Sequence, residues 1–350
     1  MMKILYLDFM YYTGHIRSNK NFIKALSRFS TVYALTQTNY FDEYDSELAD
    51  IKSVKLIKKD NLYLSKGQLL NRISSIKIML VSAIQAKKIK PDYIFVASFD
   101  TIAFKFGRFL FGKTENMYLL HTINIDELSN NIKKKIFNMY KNKVKHIVFE
   151  QYMKEHLIAN IGIDPGRVFV IPHPLNDNTQ TKTKEIEYKC VGLSNSNNEE
   201  FIANIIKHEQ KEQIFKKNSK RVVLKSKEKE FDNGYLKVIK GFLDKNIYDE
   251  YINNAECILI PFPENFTYRM SGTLIDAFSN NKIVLGNNIP IINEYARRYP
   301  NICKIFENEA EMINKICFMK SEENLENKFN EFKNKHSIEE LEKSFKYMFK

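Results

Sequence analysis

Short apolar runs alternate with longer amphipathic stretches along the whole chain. Lys3-Ile-Leu-Tyr-Leu-Asp8 reads as a strand, followed by a loop with Gly14 and His15, a helix over 19–30, and the strand Thr31-Val-Tyr-Ala-Leu-Thr36. The alternation returns in a helical stretch over 69–88, the strand Pro91-Asp-Tyr-Ile-Phe-Val-Ala97, a helix from Thr101, and the strand Asn116-Met-Tyr-Leu-Leu120. Lys145-His-Ile-Val-Phe149, a helix over 151–161, the turn Gly162 to Gly166 and Val168-Phe-Val-Ile171 extend it. Apolar strands separated by helices at this spacing predict a parallel sheet covered on both faces.

After Pro172-His173-Pro174 the apolar periodicity stops, and residues 176–184 are polar. A domain boundary is expected there. The alternation then restarts with Tyr188-Lys-Cys-Val-Gly-Leu193, a helix over 198–215, Arg221-Val-Val-Leu224, Tyr235 to Ile239 and Ile258-Leu-Ile260. The pattern predicts an α/β chain of two Rossmann-like, doubly wound domains, 1–175 and 176–324. Residues 325–350 follow as an amphipathic helical tail with Phe329, Phe332, Leu341, Phe345 and Phe349 on its apolar side. Ligands of such sheets bind at the carboxyl ends of the strands, which points to a cleft between the two domains.

The segment Pro263 to Gly286 carries the most specific chemistry. An apolar strand ends at Pro261, Ser271-Gly272-Thr273 form a small-residue turn, and a helix opens over 274–279. Free N–H groups and the positive dipole end at such a helix start bind phosphate. Asp276, one turn on, is placed to accept hydrogen bonds from a ribose. Arg269, just before the turn, and Lys225 and Lys227, at the end of the run Arg221 to Leu224, are the candidate cations for a diphosphate. An ordinary strand-to-helix turn, with solvated lysines, is the plain alternative.

In the first half, Gly14 would let a substrate approach the backbone, His15 could touch an acceptor, and His121 directly follows a strand. A capping or exposed histidine is the alternative for His121. No Asp-x-Asp and no His, Cys, Asp or Glu cluster with ligand spacing occurs, so no metal and no cofactor are expected. Cys190, Cys257, Cys303 and Cys317 are scattered and read as buried thiols of a cytosolic protein. The opening residues reach Asp8 too soon for a signal peptide, and no later apolar run is long enough to span a bilayer.

Charge divides the chain unevenly. Of a net +12, residues 1–170 hold 26 Lys and Arg against 15 Asp and Glu, whereas residues 171–350 hold 28 against 27. The first half is therefore expected to face something anionic. Asn131 to Val144 has apolar residues at helical spacing (Ile132, Ile136, Met139 or Tyr140, Val144), lysines 133, 134, 135 and 141, and no acid. It reads either as a helix lying on an anionic bilayer or as a core-packed helix with a solvated face. Phe104-Lys-Phe-Gly-Arg-Phe-Leu-Phe-Gly-Lys113 combines aromatics with three positive charges in the same way.

Taken together, these parts resemble the glycosyltransferases of the GT-B fold, and in particular glycosyltransferase family 4, over essentially the whole chain. The carriers are Lys3 to Leu7 with the Gly14-His15 loop, Leu120-His121, Val168 to Pro174, Tyr248 to Pro261, Ser271 to Phe278 and Lys282 to Gly286. The resemblance implies a metal-independent, retaining transfer of a sugar from a nucleotide-sugar to a hydroxyl of a glycan, with a lipid-linked oligosaccharide as acceptor. It implies a donor held by Ser271, Gly272, Thr273 and Asp276, with His121 near the transferred sugar and Gly14 at the donor–acceptor junction. It also implies a last helix that crosses back to the first domain, and work at the cytoplasmic face of a membrane.

Two places depart from the family pattern. Tyr268 stands eight residues before Asp276, where a glutamate is usual, and Leu193 to Asn198 has neither the usual Arg nor the usual Lys. Arg269, Lys225 and Lys227 are then the candidates to hold the diphosphate, and Tyr268 itself is expected among the donor ligands. A nucleotide-sugar 2-epimerase on the same fold is the nearest alternative. A basic nucleic-acid-binding protein is a second, disfavoured because no recognition module is present.

Overall fold

The computed structural model describes residues 1–60, 62, 67–175, 186–319 and 325–350. The polar run over 176–184, expected as a linker, lies outside the described residues. The chain separates into two compact units: residues 1–175 with Tyr268–Met270 and Lys335–Lys350, and Asn176–Thr267 with Ser271–Asn334.

The first unit contains β1 (Lys3–Leu7), α1 (Ile16–Ser27), β2 (Thr31–Gln37), α2 (Asp45–Ala49), β3 (Val54–Lys59), α3 (Gln68–Ile89) and β4 (Tyr93–Val96). It continues with α4 (Thr101–Gly107), β5 (Met117–Leu120), α5 (Asn131–Asn138), β6 (Lys145–Val148), α6 (Gln151–Ala159) and β7 (Val168–Val170). Its seven strands run in the order β3-β2-β1-β4-β5-β6-β7, and every pairing is parallel. Alternate residues of a strand point to opposite faces. One face, with Ile4, Tyr6, Val32, Ala34, Phe95, Tyr118 and Ile147, forms a core with Phe22 and Leu26 of α1.

The second unit holds β8 (Tyr188–Gly192), α7 (Glu199–Glu212), α8 (Ile214–Lys217), β9 (Val222–Ser226), β10 (Phe231–Asp232), β11 (Leu236–Lys240), α9 (Lys245–Asn253) and β12 (Ala255–Ile260). It closes with α10 (Gly272–Ser279), β13 (Ile283–Asn287), α11 (Pro290–Arg298), β14 (Cys303–Phe306), α12 (Glu309–Phe318) and α13 (Glu326–Lys335). The strand order is β10-β11-β9-β8-β12-β13-β14, parallel throughout except for the short edge strand β10. Two doubly wound parallel sheets are thus present, as the alternation predicts. Cys190, Cys257, Cys303 and Cys317 are buried free thiols, and burial raises the pKa of Cys190 well above the ordinary value.

Two expectations change. The tail over 325–350 is not one helix: α13 is followed by α14 (Ile338–Met348), capped by Ser337, whose Oγ accepts from Glu340 N at 3.3 Å. Phe332 of α13 packs on Phe278, Tyr295 and Tyr299 of the second unit. Leu341, Phe345, Met348 and Phe349 enter the first unit's core instead. The apolar residues on either side of the Ser337 cap belong to different cores, so the chain breaks there.

The basic segment 131–144 is also shorter than its pattern implies. α5 stops at Asn138, and a 3-10 turn covers Lys141–Lys143. Phe137, Tyr140 and Val144 are buried, whereas Ile132 and Met139 stay exposed, so the burial does not follow the expected stripe. Tyr140 is drawn inward by Phe104 and Phe137, and its hydroxyl donates to Thr101 O at 3.3 Å.

Candidate functional site

In a doubly wound sheet the ligand crevice opens where successive strands begin to be added on the other side. In the second unit this point is the carboxyl end of β8, flanked by β9 and β12. The loop leaving β8 is held by side-chain amides. Asn197 Nδ2 donates to Gly192 O at 2.8 Å and to Lys225 O at 2.9 Å, joining the ends of β8 and β9. Asn198 N donates to Pro261 O at 2.7 Å, joining the loop to the end of β12, while its side chain caps α7. Gly192 is required by close packing, since a Cβ there would lie 3.2 Å from Leu259 O.

Lys225 sits on this rim and is not the solvated side chain of the plain alternative. It is 4 % exposed, because β9 lies between β11 and β8. Its Nζ donates to Asn195 Oδ1 and lies 4.6 Å from the centre of the Phe242 ring. Among the described residues no carboxylate pairs with it. Burial, and then the charge of Lys227, lowers its pKa from the ordinary value. Lys227 is exposed, and its backbone N–H donates to Glu199 at 2.9 Å.

The small-residue turn opens α10 as its sequence implies. Ser271 is the N-cap, with its Oγ accepting from Leu274 N at 3.1 Å. Ile275 N is bonded to Ser271 O, but the N–H groups of Gly272 and Thr273 have no acceptor among the described residues. They are two of the donors a helix start leaves unpaired. A Cβ at Gly272 would meet nothing within 4 Å, so the unit's own packing does not call for glycine there. Asp276 lies one turn from Gly272 on the same side of the helix. Its Oδ2 accepts from Tyr248 OH at 3.0 Å, and the Tyr248 pKa is raised by burial first and by Asp276 second.

Asp276→Ala is expected to weaken nucleotide binding by about tenfold or more while the second unit stays folded. Tyr248→Phe, which removes one internal partner of the carboxylate, should bind nearly as well as the parent. Calorimetry with uridine diphosphate checks both, and unchanged affinity in the Asp276 variant would overturn the ribose assignment.

In the first unit the strand order reverses between β1 and β4. Asp8, just past β1 and 3 % exposed, organises this end. Its carboxylate accepts from Met10 N at 2.9 Å, Tyr11 N at 2.8 Å, Asn19 Nδ2 at 2.8 Å, Tyr40 OH at 3.0 Å and Ser98 Oγ. This anchored turn carries Gly14, which is exposed and has nothing within 4 Å of a would-be Cβ. His15 is the residue just before α1 and packs edge-on against Tyr12 at 5.1 Å; burial lowers its pKa, with Asp8 opposing.

His121 follows β5, but its ring is turned inward rather than presented at the strand end. It is 1 % exposed among Phe99, Phe137 and His146. His146 Nε2 faces Lys141 O at 2.6 Å and must donate to it, so His146 Nδ1 accepts from His121 Nε2 at 2.9 Å. The His121 Nδ1 then carries a lone pair and has no hydrogen-bond partner among the described residues. Burial, and second the charge on His146, holds the His121 pKa well below the ordinary value, and burial lowers His146 to about 4.

Tyr268 and Arg269, expected among the donor ligands, are built into the first unit. Tyr268 N donates to Asp126 Oδ1 at 2.6 Å, and its ring stacks on His156 at 3.8 Å. Arg269 Nε lies 2.8 Å from Asp126 Oδ2. An aspartate 143 positions earlier takes up the cation that the local motif assigns to phosphate.

Among the described residues no group of three or more His, Cys, Asp and Glu could hold a metal ion. A cavity of about 830 Å³ opens at the amino ends of β8, β9 and β12, lined by Glu187, Lys189, Arg221, Glu250 and Glu256. It lies at the opposite end of the sheet from Lys225 and Ser271.

Solved structures of the same fold superpose on the chain. The Anabaena Alr3699/HepE protein, in complex with UDP and glucose, superposes with a TM-score of 0.64 at 12% identity, over 99% of each chain. The chain has the GT-B fold. The apo lipopolysaccharide outer core galactosyltransferase WaaB superposes with a TM-score of 0.59 at 13% identity, over 99% of each chain. A UDP-N-acetylglucosamine 2-epimerase from Rickettsia bellii gives 0.60 at 13% identity, covering 99% of this chain and 96% of its own. No protein-family model and no curated protein sequence matches the chain.

Asp8, Asn195, Asn197 and Phe242 escape a sequence reading of the site. Asp8 directly ending an apolar strand was a signal for its role, since a carboxylate there can gather the N–H groups of the following turn. Phe242, 82 % exposed just after Gly241 at φ +92°, was marked only by the glycine.

Proposed function

We propose that the chain is a metal-independent glycosyltransferase that moves a sugar from a nucleotide-sugar donor to a hydroxyl of a glycan acceptor. One observation carries this reading: on the carboxyl-end side of its strands the second unit holds a buried cation that no carboxylate pairs with, and a helix start whose N–H groups lack acceptors, among the described residues. Both features suit a diphosphate, and Asp276 one turn along suits a ribose. Phe242, against which Lys225 already rests, offers a ring face for a base. The UDP and glucose held by the Anabaena protein of the same fold support a uridine nucleotide as donor.

The reaction asks for orientation of donor and acceptor and for stabilisation of the departing diphosphate. Lys225 with the Gly272 and Thr273 N–H groups supplies the second. The acceptor falls to the first unit, around Gly14 and His15, with a lipid-linked oligosaccharide as its class and retention as the stereochemical course. His121 enters this scheme only if its Nδ1 becomes accessible, because Phe99 and Phe137 now close over it. The chain would work at the cytoplasmic face of a membrane; among the described residues no helix is long and apolar enough to cross one.

A 2-epimerase is the second reading, favoured by the Rickettsia structure. Thermal-shift measurements with UDP, UDP-glucose, UDP-N-acetylglucosamine and GDP-mannose test the donor site. A ligand present at about a hundred times its dissociation constant adds roughly 2.7 kcal/mol of stability. Release of UDP only when an acceptor glycan is added supports transfer. Conversion of the sugar without acceptor would establish the epimerase, and no shift with any nucleotide would overturn both readings.

A further inference from the structure

We propose that the outer face of α3, α4 and α5 in the first unit docks on an anionic lipid bilayer. α3 buries Ser75, Ile78, Met79, Ser82 and Ala83 on its inner side. Its outer side, where a solvated helix carries polar residues, presents Leu69 at 70 %, Leu80 at 48 % and Ile84 at 46 % exposure. Residues 69, 73, 80 and 84 fall on one stripe at 3.6 residues per turn. The stripe is therefore an apolar face that nothing among the described residues covers.

The neighbouring elements extend it. α4 lies so close to α3 that a Cβ at Gly107 would come within 2.1 Å of Met79 Sδ. Beside that contact Phe106 and Phe109 are 62 % and 61 % exposed. α5 packs against α4 and adds Ile132 at 68 %. Scattered exposed apolar residues are ordinary, but a contiguous set on three packed elements marks an interaction surface.

Charge names the partner. Gln68–Ile89, Thr101–Phe111 and Asn131–Asn138 contain no Asp or Glu, while Lys77, Lys87, Lys88, Lys134 and Lys135 are exposed among them. Two of the acids that flank these segments are already engaged: Asp100 caps α4 and faces Arg72 at 3.5 Å, and Glu127 pairs with Lys133 at 2.6 Å. Apolar side chains that enter the headgroup region, ringed by lysines that meet anionic lipid, are what holds a protein to a charged bilayer. The first unit's excess of positive charge is thus concentrated where apolar side chains are also exposed.

Co-sedimentation of the full chain with vesicles tests this, using phosphatidylcholine alone or mixed with phosphatidylglycerol. The parent is expected to pellet with the anionic vesicles and to stay in solution with the neutral ones. Leu80→Glu/Ile84→Glu and Phe106→Ser/Phe109→Ser should each lower vesicle binding by about tenfold or more. Because these side chains are exposed, thermal stability and the shift produced by UDP should stay as in the parent, so this test is separate from that of the donor site. The proposal is overturned if the parent ignores anionic vesicles or if the double variants bind them normally. It is also overturned if the parent forms a lipid-independent dimer that the variants dissociate, which would make the face a protein interface.

Discussion

Lys225→Met is expected to abolish tight nucleotide binding, with kcat/KM falling about 100- to 1000-fold, while the protein melts no lower than the parent. The two halves of this expectation have one cause. An ammonium group out of water is costly unless a counter-charge meets it, and Lys225, at 4 % exposure, has the Asn195 oxygen and the Phe242 ring but no carboxylate among the described residues. Met matches the length of the stem and removes the charge, so the resting fold loses a desolvation cost. A diphosphate arriving at the β8 switch point would find its cation missing. Lys227→Met, on an exposed side chain, should cost far less. Isothermal calorimetry with UDP and a melting curve decide the matter: lower stability with unchanged affinity would make Lys225 a structural residue.

The second large effect is on stability toward acid. His146 is held neutral with its pKa lowered to about 4, and His173 with its pKa lowered to about 3, burial being the first cause in both. In the unfolded chain both titrate near the ordinary value of about 6.5. Between these limits the unfolded chain binds more protons than the native one, so stability rises with pH. The contribution is complete above about pH 6.5 and is lost as the pH falls toward 4 and then 3. For His146 alone the difference is about 3 kcal/mol, a large fraction of a typical folding free energy.

The carbonyls of Lys141 and Pro174 favour the protonated rings without offsetting burial, while His121 already points its Nε2 at His146 and the charges of His336 and His15 oppose protonation of His173. Melting temperature should therefore drop steeply between pH 6.5 and 4. His146→Asn, which keeps an acceptor for His121 but cannot titrate, should flatten the slope by about one proton. A melting temperature that holds constant from pH 7 to 5 would contradict the buried-histidine account.

The succession of elements was legible because each strand in a parallel sheet is a short apolar run set off by an amphipathic helix. β3 was missed because it is an edge strand whose lysines 55, 58 and 59 hide its periodicity. β14 was missed because Lys304 interrupts Cys303–Phe306 and leaves no unbroken apolar run. The turn at Ser271 to Thr273 was legible because capping and helix start are local. Partners distant in sequence were not. Asp126 reaches Arg269, and Phe99, Phe137 and His146 surround His121, through contacts that no spacing rule describes. Lys225 was legible as a candidate cation but its burial was not, because lysine is mostly exposed and its place between β11 and β8 is what buries it.

Residues 341–349 are among the last in the chain, yet they complete the core laid down by residues 4–34. This sets the order of events during synthesis. A chain extended through residue 334 already contains every element of the second sheet with the helices on it, whereas the first sheet still lacks Leu341, Phe345, Met348 and Phe349. Each of these is at most 4 % exposed and contributes about 1.5 to 3 kcal/mol on burial. The unit made first is thus finished last, its apolar face waiting on a loop closure of some three hundred residues. Through that interval the face beneath α14 is a target for chaperones and a hazard for aggregation.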